Sequence, residues 1–189
     1  MGVKESRTDF GKDITTIARK SIVYYLQHGE VMSLPFPGEV HPDLLTRRNG
    51  AFVSLKKNGD LRGCIGTFLP QYDNLLQEVI RNAVSAATED PRFSPVNLNE
   101  LSSITLSVDV LTEPEKAESP RELDPKVYGV IVQSGWRKGL LLPDLEGVDT
   151  VEEQLHIARR KAGIRPSEPV EILRFRVERY REEPSGREL

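Results

Sequence analysis

The residues with the clearest chemical potential lie in the stretch LRGCIGTF, residues 61–68, which contains the only cysteine of the chain. A thiolate is a nucleophile and a metal ligand, and a nearby guanidinium favours the charged form of a thiol. Arg62 stands two residues before Cys64, and residues at that spacing in a β-strand face the same side of the sheet. Cys64 is therefore a candidate nucleophile or thiol ligand. Arg62 is a candidate to lower the pKa of the thiol or to bind an anionic group.

Two glycines, Gly63 and Gly66, flank this cysteine. They remove side chains where a ligand could approach the strand, which makes both of them candidate binding residues. The same glycines also fit a β-bulge, a bent strand or the close approach of another backbone. Cys64 has a second interpretation as well, because unpaired cysteines often act as small buried apolar residues. The stretch alone leaves the functional and the structural interpretations open.

A second polar motif, DPRF at residues 90–93, follows a predicted helix. Asp90 is suited either to cap a turn or to bind Arg62, and Arg92 adds a second cation. If the loop folds beside the first motif, Arg62, Cys64, Asp90 and Arg92 form a polar cluster suited to a small anionic ligand. The alternative is an ordinary turn that ends the helix, with its phenylalanine anchored in the core.

A thiol enzyme generally uses a base, and the chain contains three histidines, His28, His41 and His156. None of them stands at a spacing that identifies it as the partner of Cys64. No two of them have the spacing of a metal-binding pair, and one cysteine does not supply a cysteine-rich zinc site. We therefore predict no metal site and no cofactor.

The composition is that of a globular protein, with 38% hydrophobic and 29% charged residues. The chain has 26 basic and 29 acidic residues and a net charge of −3. A general duplex-binding protein needs a basic field, so we do not expect a nucleic-acid partner. No apolar run approaches the ~20 residues that span a bilayer, and the start of the sequence lacks the apolar core of a secretory signal. The expected location is cytoplasmic, without a membrane partner.

Hydrophobic periodicity and turn signals predict alternating helices and hairpin-connected strands. This pattern indicates an α+β fold with a largely antiparallel sheet and flanking helices, in a single domain over residues 10–180 followed by a frayed tail at 181–189. The predicted elements, in chain order, are a helix at 13–28 that stops at Gly29, a hairpin of 51–56 and 61–68 around Asn58-Gly59, a helix with Asp73 as N-cap, a strand at 104–111, a hairpin of 127–133 and 136–143 around Ser134-Gly135, a helix with a capping box at Thr150–Glu153, and a strand at 170–180.

Several segments together resemble one family. They are LRGCIGTF, AATEDPRF at 86–93, LSVDVL at 106–111, GLLLP at 139–143 and KAGI at 161–164. They occur in the order expected of the AMMECR domain, which is named after a gene in the Alport syndrome, midface hypoplasia and elliptocytosis chromosomal region. Its prokaryotic members are also called AmmeMemoRadiSam system protein A. The resemblance covers residues 10–180 and includes LRGCIG, the hallmark hexapeptide of the family.

The resemblance implies a curved, mostly antiparallel sheet and two intertwined sub-structures. It also implies a Memo-type protein and a radical SAM protein as partners, and it marks the hexapeptide as a candidate active or binding site. It implies no particular reaction. Two hypotheses follow: an enzyme or accessory enzyme whose Cys64-centred pocket binds an unknown small anionic molecule, or a non-catalytic adaptor that works with these partners.

Overall fold

The computed structural model describes residues 9–35 and 37–182. The described residues form two compact units. The first unit contains the chain up to Val110 and again from Arg179 onward, and the second contains Leu111–Glu178. Helices combined with antiparallel pairings confirm the predicted α+β class. The strands form two four-stranded sheets, however, rather than the one sheet that the pattern indicated.

The predicted helices and strands occur in the predicted order along the chain. The helices are α1 Phe10–His28, α2 Asp43–Thr46, α3 Leu75–Thr88 and α4 Val151–Lys161. The strands are β1 Ala51–Lys57, β2 Asp60–Gly66, β3 Ile104–Leu111, β4 Glu115–Lys116, β5 Gly129–Ser134, β6 Arg137–Leu141, β7 Glu171–Phe175 and β8 Val177–Arg181.

In the first unit, the two long helices have well-formed ends. The Asp9 carboxylate accepts the N–H groups of Gly11 and Lys12, so α1 begins three residues earlier than predicted. Gly29 ends it with a φ of 74°, as predicted. The N-cap of α3 is Asn74 rather than Asp73, because the Asn74 side chain accepts the N–H of Gln77.

The sheet of the first unit has the strand order β2-β1-β3-β8. Alternate residues of β1 and β3 are buried in one apolar cluster with side chains of α1 and α3. The interleaved positions are more polar, and they include Ser54 on β1 and its pairing partners Cys64 on β2 and Ser107 on β3. The helices therefore pack on one face of this sheet, whereas Ser54 belongs to the other.

The β1–β2 hairpin turns at Asn58 and Gly59, whose φ angles are 54° and 93°. Two positive φ angles are what the predicted type I′ turn requires. The register shifts between Leu55 and Lys56, however, and Arg62 is the extra residue of this bulge. The sequence prediction that Arg62 and Cys64 share a face assumed a regular strand, and the bulge interrupts that alternation.

The second unit has the strand order β4-β7-β5-β6. Its β5–β6 hairpin pairs Ser134 with Arg137, so the turn residues are Gly135 and Trp136, one position later than predicted. Gly135 supplies the positive φ of 60° that such a turn needs at its first central position. The α4 helix begins at the predicted capping box of Thr150. Its buried side packs on an apolar cluster with β5 and β6.

The C-terminal part of the chain corrects two predictions. The predicted strand at 170–180 is two strands, β7 and β8, which belong to different sheets. Arg181 ends β8, and Glu182 donates its N–H to the Leu106 carbonyl, so these two residues are not a frayed tail. The rest of the predicted tail, residues 183–189, lies outside the described residues. No helix among the described residues has the length and apolar character that crossing a membrane requires.

Candidate functional site

Protein atoms occupy the space beside the Cα atoms of the two glycines of the hexapeptide. A Cβ atom on Gly63 would overlap the carbonyl oxygen of Ala86 on α3. A Cβ atom on Gly66 would overlap the neighbouring strand at Ala51 and Phe52. The glycines thus let a helix and a strand approach the backbone of β2. The close approach of another backbone explains both positions, and it occupies the side of each glycine on which a side chain would stand.

The DPRF loop folds against the outer edge of β2, beside Cys64. The Cys64 N–H donates to the Asp90 carboxylate at 2.9 Å, and the Arg92 guanidinium donates to the Cys64 carbonyl at 3.3 Å. Because β2 is an edge strand, these two backbone groups have no strand partner on that side. The loop therefore satisfies the edge, and it brings Cys64, Asp90 and Arg92 together.

Asp90 is the centre of this contact. The residue is 4% exposed, and its carboxylate accepts three hydrogen bonds from Arg92, one from the backbone N–H and two from the guanidinium, at 2.6–3.1 Å. The bonds to Arg92, together with the bond from the Cys64 N–H, hold the pKa of Asp90 well below its usual range. Asp90 is therefore ionised at neutral pH, and its negative charge is already balanced by Arg92.

Arg62 has a different partner from the ones that the sequence indicated. Its guanidinium binds the Glu100 carboxylate at 2.8 Å and the Ser94 carbonyl at 2.9 Å. Glu100 also accepts a hydrogen bond from Lys57 at 2.9 Å. The bond to Arg62 is the largest cause that lowers the pKa of Glu100 to about 2. Arg62 is thus committed to a carboxylate that the sequence reading missed, because Glu100 lies 38 residues further along the chain with no motif to mark it.

The Cys64 side chain is partly buried, and its surroundings favour the neutral thiol over the charged thiolate. Its sulfur accepts a hydrogen bond from the Ser54 hydroxyl at 3.2 Å. Burial raises the pKa of the thiol, and this effect outweighs the lowering by the Ser54 hydrogen bond and by the positive charge of Arg92. The cation that acts on the thiol is therefore Arg92 and not Arg62. Such an environment does not favour the thiolate that nucleophilic attack requires.

The end of the LRGCIGTF stretch is fixed to α3 by a buried carboxylate that the sequence analysis also missed. Glu78 is fully buried. Its carboxylate accepts a hydrogen bond from the Thr67 hydroxyl and hydrogen bonds from the backbone N–H groups of Gln71 and Tyr72, the last two at 2.8 and 3.1 Å. On the same helix, the Asn82 amide donates to the Ala51 carbonyl at 2.9 Å. The one feature of the sequence that could have indicated this buried carboxylate is the position of Glu78 among apolar residues at the start of α3.

The histidines and a surface cavity of the first unit have neighbours other than Cys64. His28 stacks on Tyr24, and the His41 N–H donates to Asp13. A surface cavity of about 270 Å³ has a lining that includes Leu34 and Arg81 but not Cys64. In the second unit, His156 is exposed on α4. Over residues 9–35 and 37–182, no group of three His, Cys, Asp or Glu side chains is placed to hold a metal ion.

A family model described as AMMECR1 matches residues 15–183 of the chain. The chain belongs to the AMMECR1 family. This confirms the resemblance that the hexapeptide and the other segments indicated. Because the match includes both compact units, the family fold covers the candidate cluster as well as the second hairpin and α4.

Relatives in bacteria and a solved archaeal structure agree with this assignment. A protein of Thermotoga maritima is 56% identical over 167 residues, which cover 87% of this chain and 94% of that protein. A protein of Clostridium acetobutylicum is 51% identical over 94% of this chain, but the chain spans only 38% of its length. The crystal structure of an uncharacterized protein from Pyrococcus horikoshii superposes with a TM-score of 0.84 at 34% identity. That superposition covers 95% of this chain and 94% of the archaeal one.

Proposed function

We propose that this AMMECR1-family chain is a non-catalytic interaction protein that works with a Memo-type protein and a radical SAM protein. In this proposal the hexapeptide and the DPRF loop maintain the fold of the first unit. The observation that carries it is the engagement of Asp90. This carboxylate binds both the Cys64 backbone and Arg92, which leaves its charge balanced within the protein.

The competing proposal is an enzyme in which Cys64 attacks a substrate. A nucleophilic cysteine needs an accessible thiolate with a lowered pKa. The burial that raises the pKa of Cys64 opposes this role, and so does the carboxylate of Asp90 that faces its backbone. Arg62 does not compensate, because Glu100 holds it. These interactions favour a structural role for the motif.

The Clostridium relative supports an association with other proteins. The chain matches only 38% of that longer polypeptide, so this fold also occurs joined to additional sequence. A domain that is joined to another in one organism is a reasonable candidate to bind its counterpart as a separate chain elsewhere. The identity of the Memo-type and radical SAM partners rests on the family resemblance.

Binding to the purified partners from the same genome tests the proposal. Isothermal titration calorimetry with the Memo-type protein and with the radical SAM protein is expected to give a complex with at least one of them. Cys64→Ser keeps the hydrogen bond to Ser54 within reach and is expected to bind as the unchanged chain does. Failure of the unchanged chain to bind either protein contradicts the proposal.

Alkylation distinguishes the structural thiol from the nucleophilic one. Cys64 is the only cysteine, so the intact mass after iodoacetamide treatment reports on it alone. We expect an apparent pKa above the ~8.5 of a free thiol, and no change in that pKa in Arg62→Ala if the variant remains folded. A pKa below that of a free thiol would favour the enzyme proposal instead.

A further inference from the structure

The surface cavity of the first unit is lined by α3 and by the segment that follows α1. Its volume is about 270 Å³. Gln77, Ile80 and Arg81 line it from α3, since positions three and four residues apart lie on the same side of a helix. Residues 31–34 line it from the segment after α1, and Tyr72 lines it from the loop before α3. The cavity thus brings together three parts of the first unit.

Four of the residues that line the cavity are apolar. Val31 and Met32 are partly buried against the core of the first unit, and Ile80 is 2% exposed. Leu34 lines the same cavity but is 43% exposed. Apolar surface that is in contact with water gains free energy when an apolar group covers it. The cavity therefore offers a contact surface to an apolar group of a ligand.

Three polar side chains line the same cavity, those of Tyr72, Gln77 and Arg81. The Cζ atom of Arg81 lies 5.9 Å from the centre of the Tyr72 ring, within the range of a cation–π contact. Across the part of the chain that the structure describes, none of the three side chains has a hydrogen-bond or ion-pair partner. Their donors and acceptors are therefore available to a ligand, as in pockets where a few polar groups orient a mostly apolar molecule.

The charge of Arg81 is not balanced by the carboxylate that precedes it on α3. Glu78 stands three residues earlier, but it is fully buried, and its carboxylate accepts hydrogen bonds from Thr67, Gln71 and Tyr72. No other carboxylate among the described residues pairs with Arg81. A guanidinium can bind one carboxylate through two parallel N–H···O bonds. Arg81 is therefore suited to bind the carboxylate of a ligand.

We propose that this cavity binds a small carboxylic acid with an apolar group. Arg81 binds the carboxylate, while Ile80 and residues 31–34 contact the apolar group. We call the site, which also includes Tyr72 and Gln77, the Arg81 pocket. Its volume lies near the lower end of the range of about 300–1,000 Å³ for ligand pockets, so the ligand is small. The inference goes beyond the proposed function and is independent of the Memo-type and radical SAM partners.

A carboxylate fits the Arg81 pocket better than a phosphate group does. Phosphate sites in proteins use several backbone N–H groups, as at helix N-termini, or a cluster of cations. The residues that line the Arg81 pocket include a single cation, and the side chains beside it supply a phenol and an amide. The charge of one carboxylate matches this cation. Inorganic phosphate is therefore the control anion for the experiment.

Chemical shifts of the ¹⁵N-labelled chain test the pocket, with N-acetyl-leucine as the probe. We expect a dissociation constant on the order of 1 mM for a molecule of this size. The largest shifts are expected at the side-chain amide of Gln77 and at the backbone N–H groups of residues 32–34. Inorganic phosphate is expected to leave these signals unchanged. Shifts confined to other residues, or equal shifts with phosphate, overturn the inference.

Two related probes separate the contributions of the charge and of the apolar group. N-acetyl-leucinamide keeps the side chain but lacks the carboxylate, and N-acetylglycine keeps the carboxylate but lacks the side chain. We expect each to bind roughly tenfold more weakly than N-acetyl-leucine, because each loses one of the two interactions. Equal binding of either probe would contradict the proposed ligand chemistry.

Matched arginine variants locate the carboxylate. Arg81→Gln is expected to weaken binding of N-acetyl-leucine roughly tenfold and to abolish its advantage over N-acetyl-leucinamide. The spectrum of the variant also shows whether it is folded. Arg121→Gln removes the same charge at an exposed position of the second unit and is expected to leave the affinity unchanged. Equal weakening in both variants would mean that the attraction is general, which overturns the assignment of Arg81.

A peptide that ends in leucine presents the same carboxylate and side chain as the free acid. Acetyl-triglycyl-leucine therefore separates a protein C-terminus from a small molecule. We expect N-acetyl-leucine to bind at least as tightly as this peptide, since the flexible glycines lose conformational freedom on binding. Binding of the peptide that is tighter by about tenfold or more would assign the pocket to a protein C-terminus and overturn the small-molecule assignment.

Discussion

The two compact units contain the same arrangement of hairpin, helix and third strand on different sequences. In the first, β1 and β2 form the hairpin, α3 follows, and β3 pairs with β1. In the second, β5 and β6 form the hairpin, α4 follows, and β7 pairs with β5. The outer strand beside β3 is β8, and the outer strand beside β7 is β4, so each sheet receives its last strand from a distant part of the chain.

The closest correspondence is a glycine in the edge strand beneath a helix carbonyl. Gly63 of β2 lies beneath Ala86 of α3, and Gly139 of β6 lies beneath Ala158 of α4. In each case the next residue has its carbonyl bound by a cation from the region where the helix ends. Arg92 binds the carbonyl of Cys64, and Lys161 binds the carbonyl of Leu140.

The difference between the units lies in what accompanies this shared contact. The first unit adds the buried carboxylate of Asp90 and a cysteine at the position where the second has Leu140. A leucine serves the same structural position in the second unit. The comparison therefore assigns the glycine of the hexapeptide to packing, and it identifies the contact between Asp90, Arg92 and Cys64 as the feature particular to the first unit.

The largest loss of stability is expected from substitutions that disrupt the glycine–helix contact present in both units. Gly63→Ala and Gly139→Ala each place a methyl group where a helix carbonyl lies, so the helix must move away from the strand. We expect each to lower the free energy of unfolding by about 3 kcal/mol, measured by urea denaturation. A loss in only one of the two variants would contradict the equivalence of the two contacts.

Gly147→Ala is the matched control for these glycine variants. Gly147 has a φ of 76° and open space around its Cα, so alanine there introduces backbone strain without a steric overlap. We expect a loss of about 1 kcal/mol. A similar loss in Gly63→Ala would mean that α3 readily adjusts to the added methyl group.

The elements of both units could be predicted from local signals. The Asn58-Gly59 turn, the capping box at Thr150 and the alternation of β3 all depend on residues that are close in sequence. The division of residues 170–180 between two sheets could not be predicted in this way. Alternation of apolar and polar residues indicates that a segment is a strand, but it does not indicate which other strand that segment pairs with.

The sequence predicted three of the four members of the candidate cluster, Cys64, Asp90 and Arg92, but it predicted neither their bonding nor the partner of Arg62. The short DPRF motif identified Asp90 and Arg92, and the structure brings both of them to Cys64. The partner of Arg62 was missed because the bulge changes the strand and because Glu100 lies in a later 3-10 turn. Pairings between charged side chains at large sequence separation depend on the completed fold.

A smaller loss of stability is expected when the buried carboxylate that only the first unit has beside this contact is removed. Asp90→Asn removes the buried negative charge and leaves the Arg92 guanidinium without its carboxylate. We expect a loss of about 2 kcal/mol in the free energy of unfolding at neutral pH. The matched change Glu171→Gln, at an exposed position of β7, is expected to have little effect.

The same carboxylate predicts a pH dependence with a definite sign. Because the pKa of Asp90 is lower in the folded chain than in the unfolded one, its contribution is complete above the unfolded value of ~3.9. The contribution is lost as the pH falls below that value toward the folded pKa. Urea denaturation of the unchanged chain and of Asp90→Asn should therefore converge as the pH is lowered, and a constant difference between them would contradict this assignment.

The smallest expected effect concerns the corresponding cation of the second unit. Lys161→Met removes the bond to the Leu140 carbonyl, but Lys161 is exposed, and water can replace its ammonium group. We expect a change within about 0.5 kcal/mol in the free energy of unfolding. Arg92→Met, at the equivalent carbonyl of the first unit, also leaves the buried Asp90 carboxylate without its cation, so it should cost more. Equal losses in the two variants would mean that the carbonyl contact alone matters, and that Asp90 adds nothing to the first unit.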